Sequence, residues 1–205
     1  MIYSEVVFLE IVSSKVVDFL IHYGSATEDI RDILLFGVES TFSLLINLIV
    51  TLLVGLLFRI PLELLMFFVP FSVLRMLSGG IHAKTFQGCA VASLLVMLTV
   101  SALIYVDFGI AVLPLSIILI LISIFTIFII APVVHINHPL NESDTTRFRK
   151  HSRITVIVCT FICLGLLALG AIRYMFYISM GVFVAAGSTL IAHLQKKGGS
   201  PHEEN

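Results

Sequence analysis

Long apolar runs alternate with short polar interruptions along this chain. Each of six runs has about the 20 residues that a helix needs to cross a bilayer. They cover residues 33–58, 61–77, 89–106, 109–131, 154–172 and 174–193. The pattern predicts an all-α polytopic integral membrane protein with about six transmembrane helices. We expect one membrane domain, residues 1–205, whose helical bundle occupies residues 33–193.

The two ends of the chain have different patterns. In residues 2–22 apolar and polar side chains separate with helical period, which predicts an amphipathic interfacial helix within residues 1–26. The apolar set is Val6, Leu9, Val16 and Leu20, and the polar set is Glu10, Ser14, Asp18 and His22. Packing of this helix on the cytoplasmic end of the bundle is an alternative. Residues 194–205 are polar and predict a disordered cytoplasmic tail.

Composition narrows the function classes. The chain is 59% hydrophobic and 12% charged, with a mean hydropathy of +1.10, which excludes a soluble domain of 205 residues. A net charge of −1 argues against a nucleic-acid partner, because phosphate binding needs a basic surface. Cys159 and Cys163 are four residues apart but have no third and fourth ligand nearby, so we interpret them as small buried hydrophobes. We expect no metal and no cofactor.

The distribution of basic residues predicts the orientation, because cytoplasmic segments of membrane proteins are rich in lysine and arginine. With the N-terminus in the cytoplasm, the outer segments hold only Arg59 and Arg173. The cytoplasmic segments hold Lys15, Arg31, Arg75, Lys84, Arg147, Arg149, Lys150, Arg153, Lys196 and Lys197. Both termini and the polar stretch at residues 75–89 are therefore expected in the cytoplasm of a cell whose plasma membrane holds the protein.

Candidate chemistry is concentrated in the sequence RMLSGGIHAKTFQGC, residues 75–89. It contains an imidazole, His82, and a thiol, Cys89, the two groups that a cysteine nucleophile and its base require. On one continuous helix, seven residues would separate them by about 10 Å along the axis. The chain must therefore fold back if they act together, and Gly79, Gly80 and Gly88 give the backbone freedom for it.

Cys89 also falls at the start of an apolar run. The positive end of a helix dipole and a nearby imidazolium both favour the ionised thiolate. Donors are needed where an oxyanion develops, and the backbone N–H of Cys89 and the side chain of Gln87 are candidates by position. No residue that would orient His82 can be identified; Ser78 and Glu39 are the candidates.

The motif Arg-x6-His-x6-Cys, with Gly-x-His-Ala inside it, resembles the AgrB family of Gram-positive bacteria, and so do Ala131-Pro132 and the basic segment that follows. The resemblance implies a membrane-embedded cysteine endopeptidase, or thiol protease, for quorum sensing. Such an enzyme cleaves an autoinducing peptide precursor (AgrD-like) through a thioester and supports its cyclisation to a thiolactone or lactone. It implies catalytic roles for Cys89 and His82, a supporting role for Arg75, and makes a homodimer plausible.

Other polar residues are candidates for binding the substrate. Arg147, Arg149 and Lys150 would attract an acidic precursor, although the same cluster serves equally as a topology determinant beside anionic lipids. Glu39 is either functional or simply reaches water at the membrane interface. Residues 135–138 contain two histidines where the family is often rich in lysine, which is a departure from its pattern.

The main alternative to an enzyme is a small-peptide exporter without covalent chemistry. In it the polar stretch would line a pathway and Cys89 would tolerate replacement by serine. A purely structural scaffold would leave the glycine-rich interruption unexplained.

Overall fold

The fold is described from a computed structural model, which covers residues 2–23, 30–79, 86–103, 109–133 and 142–198. Seven α-helices and a short 3-10 turn, Gly109–Ala111, form in these ranges. The helices are α1 (Ile2–His22), α2 (Arg31–Leu57), α3 (Pro61–Ser78), α4 (Phe86–Leu103), α5 (Val112–Ile130), α6 (Glu142–Ala168) and α7 (Ile172–Gly198).

Most of these helices are suited to a bilayer. In the described part of the chain, α2, α3, α5, α6 and α7 are long and apolar enough to cross a membrane. The part of α4 whose side chains are described, Ser93–Leu103, is apolar but shorter than these spans. The prediction of an all-α, multi-pass membrane protein is confirmed.

Contacts at the helix ends fix the direction of each helix. Glu63 near the start of α3 pairs with Arg173 near the start of α7, and Ser78 at the end of α3 meets Thr189 on α7. These two helices are therefore parallel. The backbone N–H of Val133, just after α5, bonds to the carbonyl of Ser78, so α5 ends on the same side. We call this side the site end and the opposite side, with Glu63 and Arg173, the far end.

Helices α2, α4 and α6 run in the opposite direction. A tight turn joins α2 to α3 at the far end, where the N–H of Ile60 bonds to the carbonyl of Gly55 at 2.7 Å. Arg153, early in α6, bonds to the carbonyl of Phe128, late in α5, so α6 begins at the site end. Because α3 ends at the site end and α5 starts at the far end, α4 must carry the chain across between them. The directions of the helices thus support the predicted six crossings.

The core lies along α7, which packs mainly against α3 and α5. Leu64, Phe67 and Leu74 of α3 are fully buried, and so are Val182 and Ala185 of α7. Large apolar side chains on the outer faces of the bundle are exposed, among them Leu53, Leu57, Phe125, Ile129 and Phe161. Exposed aliphatic and aromatic side chains at membrane depth are those expected to contact lipid.

Small hydroxyl side chains mark the buried side of α5. Ser116, Ser123 and Thr126 are buried, and each donates a hydrogen bond to the carbonyl four residues earlier in α5. In this way each hydroxyl is satisfied without a partner on another helix, and its small size lets the helices approach closely.

The boundaries of three helices can be compared with the sequence pattern. The helix predicted for residues 2–22 is α1, with the same limits. The basic residues from 147 to 153 lie before the predicted apolar run at 154–172, but they already belong to α6, which begins at Glu142. α7 runs to Gly198, five residues beyond the predicted bundle limit at 193.

Candidate functional site

The polar stretch begins at the end of α3, where two other elements hold the backbone. The carbonyl of Ser78 accepts a hydrogen bond from the N–H of Val133 at 2.9 Å. The carbonyl of Gly79 accepts one from the hydroxyl of Thr189 at 2.8 Å. The last carbonyls of a helix have no partner inside it, and here segments distant in sequence supply the donors. We call Ser78, Gly79, Val133 and Thr189 the clasp.

Gly79 occupies a position that requires glycine. Its φ of 69° lies in the left-handed region, which residues with a Cβ rarely adopt. A Cβ on Gly79 would also overlap the carbonyl oxygen of Val133 and lie 3.2 Å from its carbonyl carbon. Gly79 therefore caps the end of α3, and the close approach of the chain after α5 is a second reason for glycine. The predicted fold-back between His82 and Cys89 lies outside the described residues.

The predicted catalytic residues come soon after Gly79 in the sequence. His82 and Gly80 lie outside the described residues. The backbone of α4 places Gln87 and Cys89 in its first turn, but their side chains are also outside the described part. The expectation that Cys89 lies at a helix start is confirmed. Its approach to His82, and the oxyanion role of Gln87, stay predictions.

Two charged residues predicted to assist the site are described. Arg75 lies one turn before Gly79, and its guanidinium stands over the ring of Phe71, 5.7 Å from the centroid. This contact orients the arginine within α3. Glu39 is half-buried on α2, eight residues from the start of that helix at the site end. Neither position tests a role in catalysis or binding.

The predicted basic cluster is a helical surface at the site end. Arg147, Arg149 and Lys150 are all exposed on the extension of α6. His151 is held against this turn of the helix, with Nδ1 2.7 Å from the carbonyl oxygen of Arg147. Arg153 turns away to α5, where it donates to the carbonyl of Phe128 at 2.8 Å and lies over the Phe128 ring. The first three cations are thus available to a partner, while Arg153 joins two helices.

A second polar contact, which the sequence analysis missed, lies at the far end. Arg173 approaches Glu63 at 3.1 Å, with the glutamate side chain 12% exposed and the arginine side chain 58% exposed. Arg173 also interacts with the phenol of Tyr177. A carboxylate inside an apolar span is costly unless it is paired, and this general rule is the signal that could have found the contact.

The two other cysteines lie in the helical core, away from the clasp. Cys159 and Cys163 are buried free thiols on α6. The sulfur of Cys163 lies 3.9 Å from the carbonyl oxygen of Met175 and 3.8 Å from the hydroxyl oxygen of Ser179, both on α7. Their burial agrees with the interpretation of both residues as small core side chains.

Comparison with known proteins gives one family. Two proteins of Clostridium perfringens described as AgrB-like, from strain 13 / Type A and strain SM101 / Type A, are each 29% identical to the chain, over 138 and 139 residues. Each match spans 64% of this chain and 64% of the relative. No solved structure matches the chain. The model of the family "Accessory gene regulator B" matches residues 13–191, nearly the whole helical bundle and both predicted catalytic positions. The chain therefore belongs to the AgrB family.

Proposed function

We propose that the protein is a membrane-embedded cysteine endopeptidase that matures an AgrD-like quorum-sensing peptide precursor. The observation that carries the proposal is the family match over residues 13–191, which includes His82 and Cys89. Two features of the structure support it. Cys89 lies in the first turn of a helix, and the clasp holds the backbone three residues before His82.

The proposed reaction begins with proton transfer. His82 takes the proton of the Cys89 thiol, and the thiolate attacks a backbone carbonyl carbon of the precursor. A carbon–sulfur bond forms as the peptide carbon–nitrogen bond breaks, and the imidazolium returns the proton to the leaving amine. The C-terminal fragment departs, and the retained peptide is left as a thioester on Cys89. The backbone N–H of Cys89 and the Gln87 amide are the proposed donors to the oxyanion.

Ring closure uses the energy of the thioester. A cysteine or serine side chain of the bound peptide gives its proton to His82 and attacks the thioester carbonyl. The new ring bond forms as the bond to the Cys89 sulfur breaks, which leaves a thiolactone or lactone, and His82 returns the proton to the Cys89 thiolate. Hydrolysis would compete with this step, so the site must hold the peptide's own nucleophile close and exclude water. A site at the end of a helical bundle, beside lipid, is suited to both requirements.

We also propose that the site end faces the cytoplasm of a bacterial cell. Among the described lysines and arginines, Arg59 and Arg173 lie at the far end, whereas the site end carries the basic surface of α6 and the lysines that end α7. This asymmetry follows the rule for cytoplasmic segments. Both termini would then be cytoplasmic, and a precursor made on ribosomes would reach the site directly. A homodimer remains part of the proposal.

A covalent adduct tests the chemistry. Protein in lipid vesicles is incubated with the small peptide encoded beside its gene, and intact-mass spectrometry follows the chain. We expect the wild-type protein to form an adduct that hydroxylamine releases. The Cys89→Ala variant should form no adduct, and the His82→Ala variant should form it more slowly. Cys163→Ala is the matched control, because it removes a buried thiol from the core and should leave the adduct unchanged. Absence of both adduct and cleavage, with Cys89→Ser still functional in cells, would favour the exporter.

For substrate binding we propose the exposed cations of α6. The triple variant Arg147→Gln, Arg149→Gln and Lys150→Gln should raise KM for a precursor with an acidic tail several-fold at low salt. The difference from wild type should shrink at high salt, where exposed charges are screened. The control Lys196→Gln with Lys197→Gln removes positive charge from the same end of the bundle. Equal effects of the two variants would indicate general attraction to the site end, which would contradict a binding surface on α6.

A further inference from the structure

The hydroxyl of Thr189 connects α7 to Gly79, the residue that follows α3 in the polar stretch. Thr189 is fully buried, and its oxygen lies 2.8 Å from the Gly79 carbonyl oxygen and 2.8 Å from the Ser78 hydroxyl. It also lies 3.1 Å from the carbonyl of Ala185 in its own helix. The buried hydroxyl of Thr126, by contrast, donates to a carbonyl of its own helix. Thr189 differs because it reaches the backbone of another helix.

The two hydroxyls are neighbours that share a hydrogen bond. The Ser78 and Thr189 oxygens are 2.8 Å apart, and either of them can be the donor. The Ser78 hydroxyl also lies 2.7 Å from the Leu74 carbonyl oxygen and 3.3 Å from the Gly79 carbonyl oxygen. When Thr189 donates to the Gly79 carbonyl at 2.8 Å, the proton between the two hydroxyls comes from Ser78. In that arrangement a short relay runs from Ser78 to Thr189 to the Gly79 carbonyl.

This relay fixes the orientation of the peptide group that carries the Gly79 carbonyl and leads toward His82. Gly79 is held by its carbonyl oxygen from α7, and its Cα is pressed against the Val133 backbone after α5. His82 follows three residues later, so its Cα can lie no more than about 11 Å from that of Gly79. A rotation of the Gly79 peptide would therefore be transmitted to the base over a very short segment.

We infer that Thr189 is a positioning residue for His82, acting through the Gly79 carbonyl. This inference rests on the proposed function, since it assigns Thr189 a role in the reaction of His82 and Cys89. The hydroxyl does not touch the reacting atoms. Without it the Gly79 carbonyl would keep only the longer contact to the Ser78 hydroxyl at 3.3 Å, and the segment carrying His82 would take other orientations.

The test compares the rate of catalysis with substrate affinity. Thr189→Val keeps the shape of the side chain and removes the hydroxyl. Because a displacement of about 1 Å in a catalytic group can cost about 100-fold, we expect kcat for precursor cleavage to fall by about 10- to 100-fold. KM should change by less than about threefold by the same reasoning, since the peptide-binding surface is not altered. Thr189→Ser restores the hydroxyl and should restore kcat to within a few-fold of wild type.

Two controls separate positioning from packing. Thr126→Val makes the same chemical change at a buried site whose bond stays inside α5, and kcat should be unchanged. Ser78→Ala leaves Thr189 free to donate to Gly79 and should have a much smaller effect than Thr189→Val. If Thr189→Val does not fold, the comparison is made between Thr189→Ser and Thr189→Ala.

A second readout needs no peptide. The rate of Cys89 alkylation by iodoacetamide, located by peptide mass spectrometry, is measured against pH. An imidazole held beside the thiol favours the thiolate, so Cys89 should be alkylated at pH values below those at which a free thiol reacts. Thr189→Val should move the pH profile of alkylation toward that of a free cysteine. Thr126→Val should keep the wild-type profile.

The outcomes distinguish this inference from the proposed function. If Cys89→Ala abolishes cleavage while Thr189→Val has wild-type kcat and alkylation profile, the positioning role is wrong and the endopeptidase stands. Equal loss in Thr189→Val and Thr189→Ser would also overturn it, since the hydroxyl would not be the cause. If Cys89→Ala cleaves normally, the proposed function fails first and the inference fails with it.

Discussion

Helices α3 and α7 lie close together at Gly181, and its replacement gives a sharp prediction. A Cβ at this position would overlap the carbonyl oxygen of Phe67 and lie 3.1 Å from Cγ of Pro70. Carbon atoms prefer separations of about 3.5–4.0 Å, and the oxygen belongs to the backbone and cannot rotate away. Gly181→Ala should therefore push the two helices apart along the most extensive contact of the core.

The expected magnitude combines two opposing effects. Overfilling a packed core costs about 1–3 kcal/mol. Alanine in place of glycine within a helix contributes about 0.5–1 kcal/mol in the other direction. Gly181→Ala should thus lower the free energy of unfolding by about 1 kcal/mol, the difference between the middles of these two ranges. Gly187→Ala is the matched control on the same helix, because nothing lies within 4 Å of its Cβ. It should be neutral or slightly stabilising.

Unfolding in mixed micelles with increasing SDS measures the difference. The chain has no tryptophan, so far-ultraviolet circular dichroism is the appropriate signal. We expect the midpoint for Gly181→Ala below that of wild type and the midpoint for Gly187→Ala at or above it. Coincident midpoints for the two variants would refute the close packing of α3 on α7 at this position.

Three further predictions concern the ends of the bundle. Arg173→Met should destabilise the protein by about 1–2 kcal/mol, and more than Glu63→Gln does, because Arg173→Met leaves the largely buried Glu63 carboxylate unpaired whereas Glu63→Gln leaves only a partly exposed arginine unpaired. SDS unfolding measures both variants, and a smaller effect of Arg173→Met than of Glu63→Gln would contradict the pairing. Gly79→Ala should lose nearly all precursor cleavage, since a Cβ is excluded both by the backbone angle and by Val133; cleavage at the wild-type rate would show that the clasp is not needed. In intact cells a membrane-impermeant maleimide should label Ile110→Cys at the far end, where the side chain is 99% exposed, but not Lys197→Cys at the site end; the reverse pattern would invert the proposed orientation.

The helices were predictable because each depends on a local pattern. The six apolar runs locate α2 to α7, and helical periodicity gives the exact limits of α1. The start of α6 was missed because the charged residues at its beginning show no apolar run, although they are ordinary helix formers. The motif from residue 75 to 89 identified the candidate site because its chemistry is also local in sequence.

The contacts between helices were not predictable in the same way. Ser78 and Thr189 are 111 residues apart, and nothing in either neighbourhood selects the other from many serines and threonines. Gly181 and Gly187 both look like small residues in a transmembrane helix, yet only the first meets a neighbouring backbone. Which face of a membrane helix is buried is hard to infer from hydropathy, because lipid and protein interior are similarly apolar.

The bond from Thr189 to Gly79 has a consequence for biosynthesis. The ribosome makes Gly79 110 residues before its partner Thr189, which lies on α7. While the earlier helices enter the membrane, the motif is already present, but Thr189, whose hydroxyl bonds to the Gly79 carbonyl, has not yet been made. A chain that stops before α7 would carry the motif without this support. The order of translation thus delays completion of the clasp until α7 has been made.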